Sequence, residues 1–318
     1  MEQPFISICI PTYKRPALLK KLLDSIHTQT FINYEVLIND NSPDDSVQDL
    51  VKQYDGKLAI NYERNEAGLS ATQNCNRVMK RARGAWVKVI HDDDWFEGKD
   101  ALQQFADAAI NSGKDFIFCA SNQVYLETGK KDLEELSGER MQMLEDSFFS
   151  LFYLNVIGHP SVVMHKKDLL LEYDPAFNWV LDIDYYVRYL NAHNGFYYIN
   201  KPLINIGKSS GQESNRYYKN RSVEIPEYFK MLTKYKNDLD LKNVHVFHLI
   251  WNMMVRYKIK SAEDIRVLGY DGVMPAKIEE IIKSVRKYPR IILKQPSWSK
   301  KIMKGCFKKL NEKRKGVD

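Results

Sequence analysis

Three consecutive carboxylates, Asp92, Asp93 and Asp94, close the apolar segment Trp86-Val87-Lys88-Val89-Ile90-His91. Side by side they repel one another, and a cation or solvent must intervene. A run of acids is commonly a solvated turn. At the mouth of a buried strand the balance shifts toward a metal. Two carboxylates with open coordination positions suit Mg²⁺ or Mn²⁺ bridging a substrate diphosphate, whereas Ca²⁺ takes a fuller oxygen cage. Other residue types of chemical interest carry less. Cys9, Cys75, Cys119 and Cys306 form no Cys-x-x-Cys pair, so neither a zinc ribbon nor a disulfide framework is expected. His245 and His248 lie among Val, Phe, Leu and Trp and are expected as packed or surface imidazoles. The glycines make no Gly-x-Gly-x-x-Gly fingerprint, which counts against a dehydrogenase.

The elements that must position the triplet follow from hydropathy. Phe5 to Ile10 is an apolar run, broken only by Ser7, suited to a strand buried on both faces. Pro16 can open a helix, and Leu18, Leu19, Leu22, Leu23 and Ile26 recur at helical spacing. Strands are then expected at Glu35 to Asn39, Leu58 to Tyr62 and Trp86 to His91, with helices at Asp44 to Tyr54 and Ser70 to Arg83 between them. Such alternation implies an α/β fold with a Rossmann-like, mostly parallel sheet flanked by helices, whose ligands bind outside the strands' carboxyl ends. At that edge fall Pro11-Thr12-Tyr13-Lys14-Arg15, Asp40-Asn41-Ser42 and the acidic triplet. Farther on, Phe116 to Tyr125 reads as a strand, Val180 to Asn191 as a helix, Gly195 to Ile206 as a hairpin-like pair, and the chain from Arg216 onward as helices.

Those same segments carry a resemblance. Pro11 to Arg15, Glu35 to Ser42, Asn65 to Asn76 around Gly68, the Asp93-Asp94 pair and Leu181-Asp182-Ile183-Asp184-Tyr185-Tyr186-Val187-Arg188 fall in the order and spacing of inverting family 2 glycosyltransferases, over about residues 4–206. The resemblance implies a GT-A type fold and a nucleotide-sugar donor, with uridine diphosphate the expected carrier. It implies donor-binding roles for Pro11, Thr12, Tyr13, Arg15, Asp40 and Asn74, Asp40 reading the base or ribose. It also implies that Asp93 and Asp94 hold Mn²⁺ or Mg²⁺ on the diphosphate, with Asp92 as a supporting or substitute ligand. An Asp92–Asp94 pair is the alternative, because His91 stands where the family usually has Asp. Asp182 matches the general base that an acceptor hydroxyl needs, the hydroxyl being a poor nucleophile until its proton is taken. Asp184, four residues before Arg188, is expected to pair with it. Trp179 either stacks on an acceptor sugar or belongs to the core.

Composition sets the remaining bounds. With 318 residues, 44% hydrophobic and 28% charged, the chain can bury a sizeable core and is not of disordered type. Two parts are expected: a nucleotide-sugar-binding catalytic domain over 1–210 and a helical region over 211–318. From Lys283 to Lys315 there are thirteen Lys or Arg against the single acid Glu312, on a chain of formal net charge +6, so the remainder is acidic. Met303, Cys306, Phe307 and Leu310 recur at helical spacing beside Trp298 and Ile302, with Lys300, Lys301, Lys304, Lys308 and Lys309 around them. That pattern fits a basic amphipathic helix on an anionic membrane, or a helix packed on the body with a solvated lysine face. Nucleic acid is not expected as a partner, since no recognition motif accompanies the charge. No leader or spanning segment is read, so the expected location is the cytoplasm, peripheral to the inner face of the membrane. The functional expectation is therefore a metal-dependent inverting transferase acting on a saccharide or lipid-linked saccharide in bacterial surface polysaccharide synthesis. Its rival is a noncatalytic nucleotide-sugar or polysaccharide-binding protein of the same fold, against which the intact Asp93-Asp94 and Asp182 argue.

Overall fold

The protein is described from a computed structural model that covers residues 3–66, 68–168, 171–210, 217–235, 243–274 and 276–312. Its first half runs β1 (Ile6–Thr12), α1 (Pro16–His27), β2 (Tyr34–Asp40), α2 (Ser46–Lys52), β3 (Ile60–Arg64), α3 (Ala71–Lys80), β4 (Trp86–Val89) and β5 (Asp94–Phe96). There follow α4 (Ala101–Asn111), β6 (Phe116–Tyr125), β7 (Lys131–Glu134), α5 (Gly138–Asp146), β8 (Val163–Lys166), α6 (Leu181–Ala192) and β9 (Phe196–Lys208). Beyond them lie helices: α7 (Arg221–Lys234), α8 (Val244–Tyr257), α9 (Ala262–Val267), α10 (Ala276–Arg286), α11 (Arg290–Leu293) and α12 (Pro296–Glu312). Contacts divide the chain into two compact units, residues 1–142 with 156–212, and residues 143–155 with 213–318.

In the first unit β1 pairs in parallel with β2 and β4, and β2 with β3. Ile6, Ile8, Cys9 and Ile10 are fully buried, as a strand covered on both faces requires. Helix α1 starts on Pro16 and buries Leu19, Leu22, Leu23 and Ile26, each contributing about 1.5–3 kcal/mol of transfer free energy. Ser70 and Gln73 form a reciprocal capping box that fixes where α3 begins. The expected parallel sheet is thus present in β3-β2-β1-β4. Past β4 the order continues β8-β6-β9-β5, where β8 and β5 run antiparallel to their neighbours and β6 and β9 are parallel.

Two expectations change. The hairpin-like pair at Gly195 to Ile206 is a single strand, β9, of 13 residues. Its turn-like Asn200-Lys201-Pro202 is absorbed as a bulge: the register jumps from Cys119↔Ile199 to Ala120↔Pro202. A bulge accommodates a proline, which has no N–H for the ladder. The fourth strand also ends early, at Val89, and Asp94 opens a strand of its own against β9.

In the second unit the basic helix α12 uses its apolar stripe internally. Met303 and Cys306 are buried, Phe307 meets Phe247 of α8 edge-on with centroids 5.3 Å apart, and Trp251 Nε1 donates to Ser299 Oγ at 3.0 Å. Phe307 is half-buried in that contact, so only part of its ring remains for a membrane surface. Trp298 and Ile291 stay exposed, as do the lysines at 300, 301, 304, 308 and 309. Lys313, Arg314, Lys315 and the expected helical start at Arg216 lie outside the described residues. His248 stacks on Tyr153 with centroids 4.6 Å apart, and burial pushes its pKa down to about 4, in keeping with a packed imidazole. Among the described residues no helix is long and apolar enough to cross a membrane.

Candidate active site

Parallel pairing brings the polar strand ends together, Thr12 lying opposite Asp40 and Pro11 opposite Asn39. The chain then turns sharply, with Lys14 at φ 54 in the left-handed region and its N–H donating to Ser42 Oγ at 2.8 Å. A lysine held there is strained, a feature that binding loops tolerate. The turn leaves Tyr13 exposed and returns Arg15 over the acidic triplet.

Asp92 faces inward and is fully buried. Its Oδ2 accepts from Thr12 Oγ1 at 2.7 Å and from the Tyr13 N–H at 3.4 Å, and Arg15 Nη2 lies 2.9 Å from Oδ1 as an ion contact off the N–H direction. Burial raises its pKa to about 6, although Arg15 pulls the other way. Arg15 Nη1 also donates to Asp93 Oδ2 at 3.0 Å. Asp94 is buried, and its Oδ1 accepts from the Gly207 N–H at 3.0 Å. Burial, then the neighbouring Asp93, push the Asp94 carboxyl well above the carboxylate range. Among the described residues, the group able to hold a metal is His91, Asp93 and Asp94, whose ligand atoms all lie within 4.8 Å of one another. Asp92 stands outside it, engaged by Thr12, Tyr13 and Arg15. An imidazole and two carboxylates form a plausible donor set for a divalent ion with substrate oxygens completing the shell.

Asp40 is fully buried at the end of β2. Its Oδ1 accepts from the Ser42 N–H at 2.7 Å and its Oδ2 from Tyr62 Oη at 2.9 Å. Burial and then the Asp40 carboxylate push the Tyr62 phenol up to about 12. Beside it four amides interlock. Asn65 Nδ2 donates to Asn74 Oδ1 at 2.6 Å and to Asn41 Oδ1 at 2.7 Å, and Asn39 Nδ2 donates to Asn65 Oδ1 at 2.8 Å. Asn74 Nδ2 reaches the Thr12 carbonyl at 3.3 Å, so α3 is tied to the loop that carries Arg15.

Several residues that sequence reasoning missed complete this side. The His91 N–H donates to Ser161 Oγ at 3.0 Å. The Ser161 carbonyl accepts from Lys88, a fully buried lysine on β4 whose Nζ also donates to the Val163 carbonyl at 3.2 Å. Burial lowers the Lys88 pKa to about 7. Lysine inside an apolar strand was the available signal. On β9, Lys208 Nζ lies 3.0 Å from His159 Nε2. Burial and then Lys208 depress His159 to about 3, which leaves a neutral ring to accept the ammonium proton. Gly207 passes so close to the Asp93 carbonyl that any Cβ would collide with it. Nothing local in the sequence pairs residues 207 and 208 with residues 93 and 159.

Asp182 lies in the first turn of α6, half-buried, with its Oδ1 accepting from the Ile183 N–H at 2.9 Å. One turn on, on the same face, Tyr186 Oη donates to the Gly158 carbonyl at 3.3 Å, so this face of α6 is turned toward the segment that carries His159. Asp184 is fully buried and accepts from Arg188 Nε at 2.8 Å, the pairing expected from their spacing. Trp179 is half-buried just before α6. Asp182 and Trp179 thus sit on an element separate from the Arg15–triplet network.

The strand ends thus gather an acidic cluster, Arg15 and the 11–15 turn at one edge of the sheet, the edge where open α/β sheets bind their ligands. The model of the glycosyl transferase family 2 matches residues 7–173, and the chain belongs to that family. An uncharacterized glycosyltransferase of Methanocaldococcus jannaschii is 24% identical over 263 residues, which is 81% of this chain and 89% of the relative. Among solved structures, S. aureus TarS in complex with UDP-GlcNAc superposes with a TM-score of 0.55 at 16% identity, covering 96% of this chain and 91% of that one. The mannosyltransferase PcManGT of Pyrobaculum calidifontis, solved with GDP-Man and Mn²⁺, gives 0.51 at 14% identity, covering 96% and 74%. At such identities the structural likeness establishes the fold. Family membership makes the protein a glycosyltransferase.

Proposed function

We propose that this glycosyltransferase is metal-dependent and inverting, and that it transfers a sugar from a uridine diphosphate donor to a saccharide acceptor of bacterial surface polysaccharide. The observation that carries the reading is the convergence of Asp93 and Asp94 with Arg15 at the carboxyl ends of β1 and β4. Support for the donor class comes from the TarS and PcManGT complexes, which hold UDP-GlcNAc and GDP-Man. Pro11, Thr12, Tyr13, Arg15 and Asn74 shape the nucleotide pocket, and Asp40, fully buried with one oxygen held by Ser42 and the other by Tyr62, reads the uridine once the Tyr62 hydroxyl swings aside. A Mn²⁺ or Mg²⁺ ion held by Asp93 and Asp94 would neutralise the departing diphosphate, an opposite unit charge at 4 Å being worth about 4 kcal/mol at an effective dielectric near 20. Asp182 takes the proton of the acceptor hydroxyl as it attacks opposite the leaving group, which inverts the anomeric carbon. Trp179 offers its ring face to the acceptor. Residues 1–210 are proposed as catalytic and 211–318 as an appendage, with the short segment 143–155 grouping by its contacts with the latter.

The test is a thermal-shift panel of nucleotide sugars with Mn²⁺ or chelator, followed by transfer assays on the ligand that responds. A ligand that binds only the folded state raises its apparent stability. The expected result is stabilisation by a UDP-sugar that chelator abolishes. Purine nucleotides stabilising more strongly would reject the uridine reading, and equal stabilisation with chelator would reject the metal.

The acceptor is proposed to be lipid-linked and reached from the cytoplasmic membrane face. With Phe307 half-buried against Phe247, attachment would depend mainly on exposed Trp298 and Ile291 and on the lysine row, at about 1 kcal/mol per basic residue near an anionic surface. Removing α12 would strip Met303 and Ser299 from the core and expose Trp251, so charge substitution is the sounder experiment. Changing Lys300, Lys301, Lys304 and Lys308 to Gln is expected to abolish co-sedimentation with anionic vesicles at low salt while leaving the melting temperature unchanged. Wild-type protein that ignores such vesicles would remove the membrane from the proposal.

A further inference from the structure

The residue ahead of the carboxylates bears on which metal the site takes. The family resemblance leads one to expect Asp at position 91, an oxygen donor; this chain has His91, and its ring comes to within 4.8 Å of the ligand oxygens of Asp93 and Asp94. Donors bound to one ion by bonds of about 2.0–2.2 Å stand roughly 3 Å apart when cis and at most roughly 4.4 Å apart when trans, so these three side chains are near enough to close on one ion by rotating toward it. Position 91 is also fixed from behind. Its N–H is held by Ser161 Oγ at 3.0 Å, and the Ser161 carbonyl is in turn held by buried Lys88. Asp92 offers no substitute, being enclosed by Thr12, Tyr13 and Arg15.

We propose that His91 is a nitrogen ligand to the divalent cation of this site, and that it biases the site toward Mn²⁺ and other transition ions over Mg²⁺. The inference rests on the metal-dependent reading above. It adds a ligand and a selectivity that an all-carboxylate site would lack. Mg²⁺ demands near-ideal octahedral oxygen coordination and dehydrates reluctantly, whereas imidazole suits first-row transition metals. Replacing Asp by a neutral ring also removes one negative charge, and with it part of the purely electrostatic attraction on which Mg²⁺ binding depends.

The test uses full-length apo protein with UDP, titrated with MnCl₂ or MgCl₂ by calorimetry and followed for Mn²⁺ by pulsed electron paramagnetic resonance. Wild-type protein is expected to show modulation from a directly bound nitrogen, altered when its histidines carry nitrogen-15. His91→Asp is expected to lose that modulation and to narrow the Mn²⁺-over-Mg²⁺ preference roughly tenfold or more, the scale on which even supporting contacts tune metal affinity. Mn²⁺ binding that Asp93→Asn abolishes, but that shows no nitrogen modulation in wild type, would overturn the role of His91 and leave the metal reading standing. Unchanged modulation in His91→Asp would overturn it too, with His159 the next nitrogen to examine. Wild-type protein that takes up no Mn²⁺ in the presence of UDP would overturn both.

Discussion

Asp182→Asn is expected to fold, to bind a UDP-sugar with Mn²⁺ as the wild type does, and to transfer sugar at least ~10²-fold more slowly. The amide keeps an oxygen that can accept from the Ile183 N–H, so the first turn of α6 stays closed. What it loses is the capacity to take a proton. The usual competitor for the role is excluded by burial: Asp184 is fully enclosed and accepts from Arg188 Nε at 2.8 Å, which also donates through Nη2 to the Glu172 carbonyl at 2.6 Å. A carboxylate so engaged is closed to an acceptor, whereas Asp182 is only half-buried. Steady-state kinetics at saturating acceptor separate the cases. The deficit should fall on kcat, with the donor KM little changed. Turnover close to wild type would remove Asp182 from the chemistry altogether.

How much of this was legible in the residues depends on the range of the interaction. Strands β1, β2 and β4 announce themselves because a parallel strand buried on both faces is mostly apolar, Ser7, Glu35 and Lys88 being interruptions, and the turns after them are short, so Thr12, Asp40 and the triplet fall at one edge from chain order alone. The Asp184–Arg188 pair was legible because helical spacing dictates it. The orientation of Asp92 was not. Whether the first, second or third carboxylate of a triplet faces inward depends on where the strand ends, and the ladder ends at Val89 rather than at His91. The contributions of Ser161, Gly207 and Lys208 were hidden for another reason: β8 and β9 join the sheet antiparallel and parallel to partners far away in sequence, and no local pattern encodes such a register. The amphipathic period of α12 was read correctly, but periodicity reports that a helix has an apolar face without saying what covers it.

Gly207→Ala tests the part of the site that sequence did not offer. A methyl group at position 207 would overlap the Asp93 carbonyl oxygen and come within 3.4 Å of the Asp93 carbonyl carbon and 3.5 Å of the Trp95 ring. Backbone, unlike the tip of a flexible side chain, cannot step aside cheaply, so either β9 or the 92–94 turn must move. Both movements damage the same feature. The Gly207 N–H holds Asp94 Oδ1 at 3.0 Å, and Asp93 Oδ2 is fixed by Arg15 at 3.0 Å, so a shift of a few tenths of an ångström changes the separation of the two carboxylates on which a shared cation depends. Overpacking of this kind costs about 1–3 kcal/mol of stability, which a chain of this size can sustain, so the variant is expected to fold with a lowered melting temperature. Its Mn²⁺-dependent affinity for UDP is expected to fall roughly 10- to 100-fold, as it does when a contact supporting a metal ligand is lost. Gly305→Ala in α12 is the control, because open space surrounds that position and alanine is the better helix former. Calorimetry of UDP binding with Mn²⁺ present reads both variants. If Gly207→Ala binds as tightly as Gly305→Ala, the close passage of β9 past Asp93 has no part in holding the carboxylates, and the geometry assigned to the metal site is wrong.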